Sequence, residues 1–235
     1  MNYLFTHLDN AWALTLIHLR LSLVPLVIGL LIAVPLGAFV HRNAVLRRVT
    51  TVAASVVFTV PSLALFVVLP LVIPTRILDE ANVIVALTLY TVALLVRVVP
   101  EALDAVPAAV LDAATAVGYR PLVRVVKVEL PLAIPVLVAG LRVVAVTNIS
   151  MVSVGSVIGI GGLGTWFTEG YQADKSEQII AGIVAIFVLA IVIDTLIMLA
   201  GKAATPWTRA GQVGRRATKA SGVTTASGAK RAAAQ

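Results

Sequence analysis

Long apolar runs alternate with short charged segments along this chain. Five of the runs are long enough to cross a membrane, which takes roughly 20 residues, and they lie at 19–40, 50–73, 83–99, 132–157 and 179–200. Backbone amides find no water to bond in lipid, and these runs lack the alternation of polar and apolar residues that a barrel strand shows. The pattern predicts an all-α polytopic membrane protein with five to six transmembrane helices.

Composition agrees with this class and removes several kinds of chemistry. Of the 235 residues, 60% are hydrophobic and 12% are charged, and the mean hydropathy of +1.02 is that of a chain surrounded by membrane lipid. The chain has no cysteine, and its histidines are too scattered for a metal site: His7, His18 and His41. We therefore predict no metal and no thiol chemistry.

Charge is distributed unevenly between the loops. Lysine and arginine gather after the first, third and fifth runs, which marks the cytoplasmic side, whereas acidic residues predominate in the loops around 74–82 and 158–178. The net charge of +7 is thus a matter of membrane orientation rather than of nucleic-acid binding. We expect the N-terminus to lie outside and the C-terminus to lie in the cytoplasm.

The chain divides into three predicted parts. Residues 1–18 form an outer-face segment, 19–201 form the transmembrane domain, and 202–235 form a basic cytoplasmic tail that is too polar to order itself. Inside the domain, the long cytoplasmic loop 100–131 predicts two short helices. The first covers about 106–117, and the second begins at Pro121 and ends near Leu130-Pro131.

A spaced motif stands in this loop. It consists of an acidic residue with two alanines, a glycine four positions later, and an aliphatic-x-Leu-Pro string after nine more residues: Asp112-Ala113-Ala114, Gly118 and Val128-Glu129-Leu130-Pro131. It resembles the cytoplasmic signature of the permease subunits of bacterial ABC importers, in which Glu and Ile replace the Asp and Val found here. The resemblance implies the type I permease fold of the methionine importers, in the inner (plasma) membrane.

The same resemblance implies a function for the loop. Asp112 and Ala113, next to Ala114, would lie in a groove of a separate cytoplasmic ATP-binding subunit. Gly118 would bend the loop, and Leu130-Pro131 would set the angle of the fourth span. ATP and Mg would be held by that subunit, so this chain is expected to hold no cofactor and not to be an enzyme. A second permease copy or a sister permease and an extracytoplasmic substrate-binding protein complete the implied assembly.

Further strings indicate a solute class. They resemble the permeases of quaternary-ammonium osmoprotectant importers and lie at 21–23, 32–37, 60–64, 128–135, 139–142 and 158–164. The implied solutes are glycine betaine, choline, carnitine and proline betaine. Methionine and sulfonate importer permeases share the fold and parts of these strings, so another small solute is the alternative.

Polar side chains inside the spans are candidates for the solute path. The fourth span carries five of them: Thr147, Asn148, Ser150, Ser153 and Ser156. Polar groups at this depth favour a face lined by protein or water. Lining of the path and packing between helices both fit this pattern.

Asp194 lies inside the fifth span, where a charge needs a partner or water. Arg142 and Arg97 are the candidate partners in neighbouring spans. A structural ion pair is one interpretation. The other is an ion-coupled secondary transporter that uses Asp194 as its coupling carboxylate, but this leaves the loop motif unexplained.

Residues 159–164 match the Gly-x-Gly-x-x-Gly pattern of dinucleotide sites. Such a site needs a preceding strand and an acidic residue about 20 positions later, and this chain offers neither. We interpret the segment as a flexible outer turn.

Overall fold

The computed structural model describes residues 2–76 and 78–208, and every regular element in these ranges is helical. The helices are α1 (Asn2–Thr6), α2 (Leu8–His41), α3 (Ala44–Thr59), α4 (Ser62–Val68), α5 (Glu80–Asp104), α6 (Ala108–Ala116), α7 (Pro121–Arg124), α8 (Leu130–Gly155), α9 (Thr165–Gln172) and α10 (Ser176–Ala204). Short 3-10 turns follow α4 and α8, and a π turn over Val125–Glu129 joins α7 to α8. The predicted all-α fold class is confirmed. Most of the predicted tail, 209–235, lies outside the described residues.

Four helices of the described part are long and apolar enough to cross a membrane. They are α2, α5, the continuous helix Pro121–Ile158 and α10. Helices α3 and α4 together pass the same test as a pair bent by 87°. Counting this pair as one span gives five, which agrees with the five apolar runs of the sequence.

The first span begins earlier than its predicted start at residue 19. Helix α2 is continuous from Leu8, so residues 8–18 are its first turns rather than part of a separate segment. Pro25 and Pro35 lie inside the helix without ending it. The apolar run underestimated the helix because its first turns carry polar side chains such as Asp9 and Asn10.

The second predicted span, 50–73, is broken in two. Helix α3 ends at Thr59 and α4 begins at Ser62, directly after Pro61. A proline restricts the residue before it to an extended conformation, and Val60 has a ψ of 128°. The Tyr90 hydroxyl on α5 donates to the Val60 carbonyl at 2.6 Å. The break is therefore held by a specific contact with α5.

The bundle has two ends that differ in charge. At one end, which we call the basic end, α2 is followed by α3. Helices α6 and α7 project from the bundle at the same end. Arg47 on α3 and Asp104 at the end of α5 are 2.8 Å apart there. At the other, the acidic end, Arg20 and Glu80 pair at 3.4 Å. Because the contacts Arg20–Glu80, Gly37–Val99 and His41–Asp104 follow one another in the same order along both helices, α2 and α5 run parallel through the bundle.

Small residues allow α2 and α5 to approach closely. Gly29, Ala33 and Gly37 recur at intervals of four on one face of α2, and all three are buried. A Cβ at Gly29 would lie 2.3 Å from Thr91, and a Cβ at Gly37 would lie 2.5 Å from Val99. Small residues at this spacing are a common means of packing helices in lipid.

The glycine-rich turn 159–164 at the acidic end, which we expected to be a flexible outer turn, is packed against α2. Ile160 and Leu163 are buried, and the Leu163 amide donates to His18 Nδ1 at 3.2 Å. His18 Nε2 lies 2.9 Å from the Ile149 carbonyl, to which it donates when Nδ1 is the acceptor. One buried imidazole thus fastens the turn and α8 to α2.

Candidate coupling site and solute path

The first part of the spaced motif, Asp112-Ala113-Ala114, lies on helix α6 at the basic end. Leu111 packs against a buried cluster that includes Val99, Leu103 and Ala133, and this contact holds α6 to the bundle. Asp112 and Ala113 lie on its exposed side, and Ala114 is half-buried. The first two motif residues are therefore available to another protein.

Gly118 follows the end of α6 and adopts a left-handed backbone conformation. The Gly118 amide donates to Thr115 at 2.9 Å, and the Tyr119 amide donates to Ala114 at 3.1 Å. This is the Schellman motif, whose penultimate residue is left-handed. Gly118 has a φ of +92°, and a Cβ there would meet nothing within 4 Å. The left-handed backbone conformation explains why this residue is a glycine, whereas steric crowding does not.

Apolar side chains next to the motif are exposed, because no other part of the described chain covers them. Val117 is 79% exposed and Leu122 is 80% exposed. A hollow of about 270 Å³ lies beside Val117, and its lining consists of Val117, Gly118, Tyr119, Arg120 and Val123. Exposed apolar side chains beside a hollow, at a basic end, are typical of a surface that contacts another protein.

The second half of the motif differs from its prediction. We expected the second short helix to end at Leu130-Pro131, but α7 continues through the π turn into α8 without a break. The predicted loop 100–131 is also shorter, because α5 runs to Asp104 with Pro100 inside it. Leu130 and Pro131 are half-buried first residues of α8. They therefore lie inside a continuous helix rather than at the end of a separate short one, and their proposed influence on the angle of the span stays a prediction.

The five polar residues of the fourth span separate into two groups. Asn148 is fully buried, and its amide donates to Thr91 Oγ1 at 2.9 Å and to the Ser22 carbonyl at 3.3 Å. Ser156 is also buried and donates to the Ser153 carbonyl. For these two residues the structure supports packing between helices rather than lining of a path.

The other three, Thr147, Ser150 and Ser153, recur every three residues on an accessible side of α8. Ser150 and Ser153 line a groove of about 320 Å³ between α8 and α10. Apolar residues form the rest of its wall, among them Phe167 and Phe187. The groove thus combines hydroxyl groups with two aromatic rings.

Of the two candidate partners of Asp194, Arg142 forms an ion pair with it and Arg97 does not. Arg142 Nε and Nη2 donate to the two carboxylate oxygens of Asp194 at 2.7 and 2.6 Å, which makes a bidentate pair between α8 and α10. Arg97 is exposed and has no ion-pair partner within the described residues. A bidentate pair fixes the geometry of both side chains, which favours a structural role for Asp194.

Two important residues were missed or undervalued by the sequence analysis. His18 fastens the glycine-rich turn, yet a single histidine near an apolar run gives no signal of that contact. Glu129 is buried and ion-paired at the end of the π turn. Its signal was present, because a carboxylate between Val128 and Leu130 at the start of a span is unusual.

Comparison with known proteins adds to this geometry. A bundle of apolar helices with one broken span and a projecting motif is compatible with a membrane transport subunit. The chain belongs to the family described as binding-protein-dependent transport system inner membrane components, whose model matches residues 14–210. It is accordingly a multi-pass permease subunit of an ABC importer and not an enzyme. Such importers also contain ATP-binding subunits and a binding protein.

Three similar proteins illustrate the family. The osmoprotectant import permease protein OsmW of Salmonella typhimurium is 35% identical over 81% of this chain and 91% of its own length. The choline transport system permease protein OpuBB of Bacillus subtilis is 34% identical over 80% of this chain and 86% of its own. A solved structure of the MetNI methionine ABC transporter in inward-facing conformations matches with a TM-score of 0.68 and 26% identity, over 80% of this chain and 90% of that chain. The predicted type I fold is confirmed.

Proposed function

We propose that this chain moves quaternary-ammonium osmoprotectants, such as glycine betaine, choline, carnitine and proline betaine, through a bacterial inner membrane. The observation that carries the proposal is the similarity, over 81% and 80% of this chain, to an osmoprotectant permease and a choline permease. The MetNI likeness reflects the shared fold and is lower in identity. Methionine or sulfonate therefore remains the second candidate solute.

The proposed partners follow from the two ends of the bundle. ATP-binding subunits, which carry ATP and Mg, contact the basic end through Asp112, Ala113, Ala114 and the hollow beside Gly118. This end faces the cytoplasm, as does the C-terminus, because arginines concentrate there. An extracytoplasmic binding protein contacts the acidic end. A second copy or a sister permease completes the path, since one bundle is too narrow to enclose a solute.

The groove between α8 and α10 is the proposed part of the path within this chain. A quaternary ammonium is attracted to aromatic faces, and Phe167 and Phe187 offer two beside the hydroxyls of Ser150 and Ser153. Two rings do not make a closed cage. The groove therefore suits a solute in transit, and selection belongs to the binding protein.

Uptake by whole cells tests the solute class. Cells that lack other osmolyte importers are given the complete system, and uptake of radiolabelled glycine betaine, choline and methionine is compared with cells that carry an empty vector. We expect uptake of the two quaternary ammonium compounds, with no competition from excess methionine. Uptake of methionine alone, or its efficient competition, would contradict the proposal.

The groove has its own test in the same cells. Ser153→Phe fills the space between α8 and α10 and should abolish uptake while the complex still assembles. Val157→Phe is the matched control, because Val157 is 63% exposed on the same helical segment and does not line the groove. Equal uptake by both variants would remove the groove from the path.

A further inference from the structure

Glu129 is the most deeply buried carboxylate at the basic end. Its side chain is 3% exposed, and one oxygen, Oε1, receives Arg124 Nε at 2.8 Å and lies 3.7 Å from Arg42 Nη2. Burying a charge is costly unless partners compensate it. Two arginines from separate elements supply that compensation.

The two arginines extend the contact to three other parts of the chain. Arg124 Nη1 donates to Thr115 Oγ1 on α6 at 2.7 Å. Arg42, in the turn between α2 and α3, donates to the Pro121 carbonyl at 3.0 Å. We call Arg42, Thr115, Arg124 and Glu129 the latch, since together they connect α6, α7, α8 and the α2–α3 turn.

A second ion cluster links the same α2–α3 region to the segment that precedes α6 in the sequence. Asp104, four residues before α6, pairs with Arg47 at 2.8 Å and lies 3.5 Å from His41. The segment that contains α6 is therefore tied to the α2–α3 region both before and after the helix. The first tie is half-exposed, with the Asp104 side chain 48% accessible, whereas the second is buried. The buried tie is the stronger candidate for transmitting force.

The π turn explains how Arg124 reaches inward. With ordinary α-helical spacing, Arg124 and Lys127 would share one exposed face, because residues three apart are neighbours on a helix. The π turn over Val125–Glu129 inserts extra backbone, and Arg124 turns to Glu129 while Lys127 stays exposed. Such turns are uncommon and are frequent at functional sites.

We propose that Glu129 is a positioning residue that makes α6 and the α2–α3 turn move as one body, so that motion imposed on α6 reaches α2, α3 and α8 together. The inference rests on the proposed function in one respect, namely that an ATP-binding subunit moves α6. It adds the part of this chain through which that motion enters the membrane helices.

Spin-label distances test the mechanical claim without any solute. The chain has no cysteine, so Val45→Cys on α3 and Ala109→Cys on α6, both exposed, give one labelled pair. The distance distribution is measured in the purified complex, both nucleotide-free and trapped with ATP and vanadate. We expect one narrow distribution, the same in both states, and a broader or shifted one when Glu129→Gln is added.

Transport measurements test the consequence of that linkage. In Glu129→Gln, solute moved per ATP hydrolysed should fall roughly tenfold, a factor within the usual range for energetic coupling between sites. Glu101→Gln is the matched control, because Glu101 is an exposed carboxylate on the part of α5 that lies at the basic end. It has no ion pair in the described part of the chain. It should behave as the unaltered protein.

A double variant separates positioning from simple stability. Replacing a buried ion pair by apolar side chains often restores stability, so Arg124→Met with Glu129→Met should assemble with its ATP-binding subunits and yet stay uncoupled. Normal solute-to-ATP ratios in this variant, or an unaltered label distance in Glu129→Gln, would overturn the inference. If the unaltered complex takes up no glycine betaine, the proposed solute fails, while the label distances still decide whether the latch exists.

Discussion

Gly118 shows how one residue of the motif is fixed by backbone geometry. Its left-handed φ closes the Schellman motif at the end of α6, and no neighbouring atom restricts a side chain there. The helix end and the hollow beside it therefore depend on a conformation that glycine adopts without strain.

This account predicts a graded series at position 118. Valine in a left-handed conformation costs about 1–2 kcal/mol, whereas asparagine tolerates it better. ATP-driven uptake should therefore decrease in the order glycine, Gly118→Asn, Gly118→Val. Equal loss in both variants would show that any side chain obstructs the ATP-binding subunit, and the backbone explanation would then be wrong.

The ion pair of Asp194 and Arg142 is a second test at this scale. Asp194→Asn should lower the yield of assembled permease, because Arg142 then loses its charged partner inside the membrane. The double variant Asp194→Leu with Arg142→Met should recover yield and uptake, since neither charge is left unpaired. An ion-coupled transporter would lose uptake in both variants, whatever the yield.

At the scale of elements, the close packing of α2 on α5 depends on small residues of α2. Glycine at 29 and 37 leaves room for Thr91 and Val99, and a larger residue must displace one helix. The Tyr90 contact to Val60 holds the broken pair α3–α4 against the same helix. Helix α5 thus contacts α2, α3, α4 and α8.

Enlarging this interface should destabilise the bundle. Gly37→Val should lower the free energy of unfolding in mixed micelles by about 1–3 kcal/mol, the usual cost of overpacking. Gly161→Ala is the control, since its Cβ would meet only Ile17, at 3.8 Å. A loss of equal size in both variants would contradict the packing argument.

The number and class of the elements could be predicted from the sequence, but not their joints. Apolar runs located the spans because lipid requires long helices. The break at Pro61 combines a local proline with the distant contact from Tyr90, and the continuous passage through Glu129 into α8 is held by Arg124 and Arg42. Local composition carries no record of these contacts.

The candidate site was predicted unevenly for the same reason. Asp112, Ala113 and Gly118 are exposed, as the motif predicted. This part could be predicted because the positions of exposed residues depend little on distant neighbours. Periodicity in the fourth span could not separate Asn148, which bonds to Thr91 and Ser22, from Ser150 and Ser153. Only the arrangement of α2, α5 and α10 around α8 makes that distinction.

At the scale of the whole molecule, the two ends of the bundle differ in charge and in exposed surface. The basic end presents the motif, the hollow and the latch, and the acidic end presents the packed turn 159–164 and α9. This polarity predicts an orientation in the membrane.

Single cysteines can determine that orientation, because the native chain contains none. Tyr171→Cys, at an 82% exposed position of the acidic end, should react with a membrane-impermeant maleimide in intact spheroplasts. Val45→Cys, 70% exposed at the basic end, should react only after the membrane is opened. The reverse pattern would invert the topology and with it the assignment of the motif to the cytoplasm.

ATP-driven uptake in proteoliposomes tests the central claim most directly. The complete complex is reconstituted with its binding protein and radiolabelled glycine betaine on the side of the acidic end and ATP on the side of the basic end, with Gly118→Val as the comparison. We predict accumulation that requires ATP and falls strongly in the variant although its ATP-binding subunits are present. Accumulation without ATP, or at an unaltered rate in Gly118→Val, would contradict an importer coupled through this motif.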